Sequence, residues 1–108
     1  MSTTPRIFGQ SKPVADIETN LLTVSPGATA QLNLFVANQS NSIDTFSIQL
    51  IPDGDSPDES RFIAYDTPLI GNGVFSVSGI SLNSGDQVLV KTGGGNCSIT
   101  ATGLQFGI

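Results

Sequence analysis

The sequence predicts a single all-β domain: an antiparallel β-sandwich, jelly-roll-like, of about seven to eight strands with an extended N-terminal arm. Three observations predict it. Clusters of Gly, Pro, Asn, Asp and Ser punctuate the chain at short, regular intervals, and apolar residues between them alternate with polar ones at period two. No stretch carries a helical period of useful length, so the crossover helices that a parallel sheet requires have nowhere to come from. At 108 residues the chain holds one core, because each of two halves would fall near the size at which lone folding becomes marginal.

Residues 1–20 show no clean period and read as the arm, with room for one short strand near Val14 to Ile17. Pro13 interrupts regular pairing there. The arm either packs on a neighbouring protein or covers one end of its own sandwich. The sandwich domain is assigned to residues 21–108. Leu21 to Val24 make a short strand closed by Ser25-Pro26-Gly27, where Pro presets φ and Gly accepts a positive one. Ala30, Leu32, Leu34 and Val36 then alternate with polar or small residues, as do Phe46, Ile48 and Leu50 after the loop Asn38 to Ser42.

The longest polar interruption, Pro52 to Glu59, precedes a strand over Phe62 to Tyr65. Gly71-Asn72-Gly73 turns into Val74 to Leu82, with Gly79 read as a bulge. Asn83 to Asp86 turns into Gln87 to Lys91, and Gly93-Gly94-Gly95 reads as a hairpin turn into Cys97, Ile99 and Ala101. The apolar C-terminal residue Ile108 suggests a last strand paired to its end. One parity in these strands gives the expected core: Leu32, Leu34, Val36, Phe46, Ile48, Leu50, Ile63, Tyr65, Val88, Val90, Ile99 and Ala101. Phe35 and Phe75 have the opposite parity to their neighbours, and at least one is expected at an edge or a subunit contact.

Charge and composition narrow the function. Charged residues are only 12% of the chain, with a net charge of −5. Solubility therefore rests on hydroxyls and amides, and such polar strand faces can be buried in a permanent assembly without desolvating many ions. The four basic residues Arg6, Lys12, Arg61 and Lys91 are scattered. Binding to a phosphate backbone needs a clustered positive footprint, so no nucleic-acid partner is expected, and an anionic membrane surface is equally unattractive. No apolar run reaches the length of a spanning helix, and the first residues lack the pattern of a secretory signal. The chain reads as soluble and made in the cytoplasm.

No catalytic residue, cofactor-binding residue or metal ligand is assigned, and the chain is expected not to be an enzyme. It has no histidine, and Cys97, its only cysteine, reads as a small buried hydrophobe. Asp53, Asp55, Asp58 and Glu59 could offer oxygens to a hard cation, but Pro57 breaks the ligand run and the spacing is not that of an EF-hand. Lys91 to Gly95 reverses the order of a phosphate loop and is followed by a strand. Asn38-Gln39-Ser40 and Asn96-Cys97-Ser98 match the glycosylation sequon by chance in an Asn/Ser-rich chain.

Several phrases together resemble a family of small bacteriophage structural proteins. They are Leu22 to Gly27, Val36 to Ser40, Phe62 to Leu69 with its following Gly-rich turn, Gly79 to Leu82, Ser84 to Val90 and Ile99 to Leu104. The resemblance spans about residues 21–108 and leaves the arm unmatched. It implies a non-enzymatic, virion-associated β-sandwich, a dimer or trimer, made in the host cytoplasm and located in the virion. Its partners would be other virion proteins, chiefly the major capsid protein, which it would bind as a capsid decoration or cement protein. The alternatives are a tail, neck, collar or baseplate component and, third, a carbohydrate-binding module, for which a chain with no Trp and one Tyr is poorly endowed. The protein-interaction residues expected on these grounds are Arg6, Ile7, Phe8, Val14, Ile17, Phe35 and Phe75.

Overall fold

The computed structural model describes residues 2–107; Ile108, and with it the expected pairing of the chain's last residue, lies outside them. Eight strands form two four-stranded sheets. They are β1 (Thr3–Ser11), β2 (Thr19–Thr23), β3 (Thr29–Asn38), β4 (Asp44–Ile51), β5 (Phe62–Leu69), β6 (Val74–Leu82), β7 (Gln87–Thr92) and β8 (Cys97–Phe106). A single turn of 3₁₀ helix, Glu59–Arg61, precedes β5. One sheet has the order β1-β8-β3-β6 and the other β2-β7-β4-β5, and every pairing is antiparallel.

This is the jelly-roll arrangement. The chain pairs first strand with last, second with seventh, third with sixth and fourth with fifth, so it amounts to one long hairpin wrapped into two facing sheets. Only the β4–β5 connection stays within a sheet; every other connection crosses to the opposite one. Gly93-Gly94-Gly95 is therefore not a hairpin turn. It carries the chain from β7 in one sheet to β8 in the other, and a local glycine pattern does not distinguish these two uses.

The inner faces meet in one core. Leu32, Leu34 and Val36 of β3, Phe46 and Ile48 of β4, Val88 and Val90 of β7, and Ile99 and Ala101 of β8 are all buried there, as the alternation predicted. Leu21, Leu22, Val24, Ile80 and Leu82 complete it. Leu50 packs against the core but stays half-buried, and its neighbour Ile51 is buried instead.

Ile63 and Tyr65, expected in the core, are 44% and 66% exposed. The cause is irregularity in β5. Gln49 pairs Phe62 and Ile48 pairs Ala64, which leaves Ile63 as an extra residue. A second irregularity follows at Asp66, with φ +44, whose N–H donates to Ser47 Oγ at 2.9 Å. Ala64 and Leu69 consequently face inward.

Residues 1–20 divide differently from the reading as an arm. Thr3–Ser11 is an edge strand paired with β8 along its length, and residues 12–18 cross over to β2 without forming the strand expected near Val14 to Ile17. The pairing is hidden locally because a bulge between Ile7 and Gly9 breaks the alternation and Pro5 occupies an edge position, where a missing donor is tolerated. Gly9 is required by close approach: a Cβ there would lie 2.2 Å from the carbonyl oxygen of Leu21. The bulge expected at Gly79 is present, with φ +76 where Leu32 pairs Ile80 and Leu34 pairs Val77.

Candidate interaction surfaces

In an antiparallel sandwich, successive connections fall at alternate ends. The β1–β2, β3–β4, β5–β6 and β7–β8 loops therefore share one end, and contacts between them make a continuous row. Asp16 N–H donates to Thr92 O at 2.8 Å, Gln39 N–H to Asn96 O at 2.9 Å, and Asn72 N–H to Ser40 O at 2.8 Å. The opposite end gathers the β2–β3, β4–β5 and β6–β7 loops, where Val24 N–H donates to Asp86 O and Asp53 N–H to Asp86 Oδ1.

Two buried polar side chains hold the first end in place. Asp44 Oδ1 accepts from the N–H groups of Thr45 (2.8 Å) and Gly94 (2.7 Å), and Oδ2 from Asn96 N–H (3.0 Å) and the Cys97 thiol (3.7 Å). Burial pushes the Asp44 carboxyl up, but the donors outweigh it and the group lies below its ordinary value. For Cys97 every influence acts in one direction: burial first, then the adjacent Asp44 charge, push the thiol up to about 11. Asn38 Nδ2 faces the carbonyls of Ser42, Leu69 and Ile70 at 2.8–3.1 Å, while its Oδ1 accepts from the N–H and hydroxyl of Ser40. Three of the four loops are thus fixed from beneath, and the β1–β2 loop is tied to the row through Asp16; together they present Ile43, Ile70 and Val74 with Val14 and Ile17 farther along, all more than half exposed.

Charge is segregated along and across the molecule. Strands β3, β6 and β8 contain no charged residue, and β1 contains only Arg6. The outer face of their sheet shows Ile7, Phe35, Val74 and Leu104 among Ser98, Thr100, Thr102, Asn33, Ser76 and Ser81. Three of the four loops at the first end, residues 39–43, 70–73 and 93–96, are also free of charge. The opposite end carries Asp53, Asp55, Asp58, Glu59 and Asp86, against Arg61 alone, which pairs with Asp55 at 3.3 Å.

The acidic loop considered as a cation site has local work instead. Asp86 binds the N–H groups of Asp53 and Asn83, Asp55 pairs with Arg61, and Asp58 caps the 3₁₀ turn through Ser60. Among the described residues, no three His, Cys, Asp or Glu side chains come together as a metal site.

Of the residues expected to make contacts, Ile7 and Phe35 lie on the charge-free sheet face, and Val14 and Ile17 lie at the loop end. The other three face elsewhere. Phe8 packs against the core, Arg6 stacks over the Phe8 ring at 5.0 Å and donates to Gln105, and Phe75 faces inward with its ring centroid 4.9 Å from that of Phe46. Phe75 is nevertheless on the edge strand β6. Sequence reasoning missed Ile43, Ile70, Val74 and Leu104. Their signal was an apolar residue inside or beside a turn, which means little until the turns are brought together. The chain matches no family model, no curated protein and no solved structure.

Proposed function

We propose that the protein is a non-enzymatic structural component of a bacteriophage particle, a decoration protein that binds the major capsid protein of the assembled shell. The observation that carries this reading is the segregation of charge. A permanent contact is least costly where no ion has to be desolvated, and the charge-free sheet face and the three uncharged loops beside it offer exposed apolar side chains set among hydroxyls and amides. The acidic end, left in solvent, would keep decorated particles apart by like-charge repulsion. The particle is proposed from the resemblance of these phrases to small phage structural proteins, and the mode of attachment from the surface. Binding the assembled shell in preference to free subunits raises the cost of opening it by mass action alone.

The test replaces exposed residues that support nothing beneath them. Ile70→Glu and Val74→Lys, each on a folded chain, should abolish binding to particles stripped of this protein, while Asp55→Asn at the acidic end should leave binding intact. Full occupancy by both surface variants would refute the attachment surface. Copy number in purified virions separates the shell from the tail, neck, collar or baseplate alternatives: hundreds of copies per particle are expected, and a few or dozens would move the protein to the tail.

A further inference from the structure

The outer face of the β2-β7-β4-β5 sheet, opposite the charge-free one, carries an aromatic corner. The two irregularities in β5 turn both Phe62 and Tyr65 outward. Their ring centroids lie 4.8 Å apart with the planes at 77°, so the open quadrant between them is walled by π faces. Glu59, on the preceding 3₁₀ turn, closes a third side of a cleft of about 260 Å³.

Between the same two rings and β7 lies a separate crevice of about 30 Å³ that Glu18, Ser47, Gln49 and Lys91 help to line. Its polar groups are engaged within the protein: Ser47 Oγ accepts from Asp66 N–H, while Gln49 Nε2 donates to Glu18 at 3.0 Å and its Oε1 accepts from Asp58 N–H at 3.3 Å. The Glu59 carboxylate has no partner among the described residues, so what the cleft offers a ligand is two aromatic faces and one negatively charged acceptor.

We infer that this corner binds the guanidinium group of an arginine presented by a partner polypeptide. A planar cation that only donates hydrogen bonds matches each wall: it stacks on the exposed Tyr65 ring, meets the Phe62 ring edge-on or face-on, and forks onto the Glu59 carboxylate. Arg61 is withdrawn by Asp55 and the carbonyl of Ser56, and Lys91 lines the separate crevice rather than the cleft. A saccharide fits less well, because it needs several converging donors and acceptors and the cleft's lining offers only the Glu59 carboxylate and the Tyr65 hydroxyl. The site is independent of the shell-binding surface, since it lies on the other sheet.

Tyr65 is the only tyrosine in a chain without tryptophan, so tyrosine emission reports this corner directly. The intact protein is titrated at low salt with an acetylated tetra-arginine amide, and with tetra-glutamine and cellohexaose as probes of the competing occupants. Backbone amide shifts are followed in parallel. A saturable response to tetra-arginine is expected, with shifts centred on residues 59–66. Tyr65→Leu and Glu59→Gln, both at exposed positions, should each weaken it about threefold to tenfold. The inference is overturned if shifts centre instead on Asp53, Asp55 and Asp86 and ignore Tyr65→Leu, since the peptide would then be reading bulk charge. It is equally overturned if nothing saturates, or if cellohexaose binds and the peptide does not.

Discussion

Asp44 is a buried charge with no cationic partner, balanced only by backbone N–H groups and a thiol, and Asp44→Asn removes that charge at constant shape. The amide oxygen can keep the bonds from Thr45 and Gly94, but as neutral ones, each weakened by about 1 kcal/mol. The new NH₂ group then faces Asn96 N–H, so two donors oppose each other where a bond stood, at a cost of about 1–3 kcal/mol. Relief from burying an ion returns part of this. A net loss of about 2–4 kcal/mol at neutral pH is expected, a large fraction of the about 5–15 kcal/mol that stabilises a domain.

Urea unfolding followed by far-ultraviolet circular dichroism measures it. The sign of the pH dependence follows from the lowered carboxyl. Its stabilisation is complete above the ordinary aspartate range and is lost as pH falls through the folded value, so the difference between wild type and variant should shrink toward about pH 2. A variant within about 0.5 kcal/mol of wild type at neutral pH, or a gap that persists in acid, would refute the assignment of Asp44 as the anchor of the loop end.

Cys97 titrates in the opposite sense. The folded thiol holds its proton up to about 11, while an unfolded one releases it near 9.0, so stability should be full below that lower value and fall by about 3 kcal/mol as pH rises past the upper one. Cys97→Ala should abolish that alkaline slope, and a slope that survives in the variant must have another source. The β5 register is tested by contrast: Ile48→Ala should cost about 2–5 kcal/mol in urea unfolding and Ile63→Ser less than about 1, with equal costs contradicting the two irregularities. Deleting residues 2–17 removes an edge strand, leaves one hydrogen-bonding edge of β8 unpaired and takes Phe8 off the core, so the thermal transition should be lost or fall by more than about 10 °C. An unchanged melt would return these residues to the status of an arm.

Period-two alternation was sufficient to find the inner faces of β3, β4, β7 and β8, because a strand in a sandwich has one buried side and its pleat forces the parity. Turn chemistry located the breaks and the bulge at Gly79. Where a strand is regular, its own residues carry the information. Where it is interrupted, as at Ile63 and Asp66, the partner decides which way the side chains point, and Tyr65 moves from expected core to exposed surface. The strand β1 was hidden for the same reason, since its one bulge erases the pattern that pairing with β8 restores.

The interaction surfaces show the same division. The sequence by itself determined that charge is scarce and that β3, β6 and β8 carry none, since those are counts along the chain. Only the tertiary structure decided that these strands share a sheet, that Ile43, Ile70 and Val74 meet at one end above Asp44 and Asn38, and that Phe62 and Tyr65 form a corner. The physical reason is that a jelly roll pairs residues about a hundred positions apart, as in Thr3 with Phe106, so neighbourhood on its surface is set by which strands pair rather than by which residues follow one another.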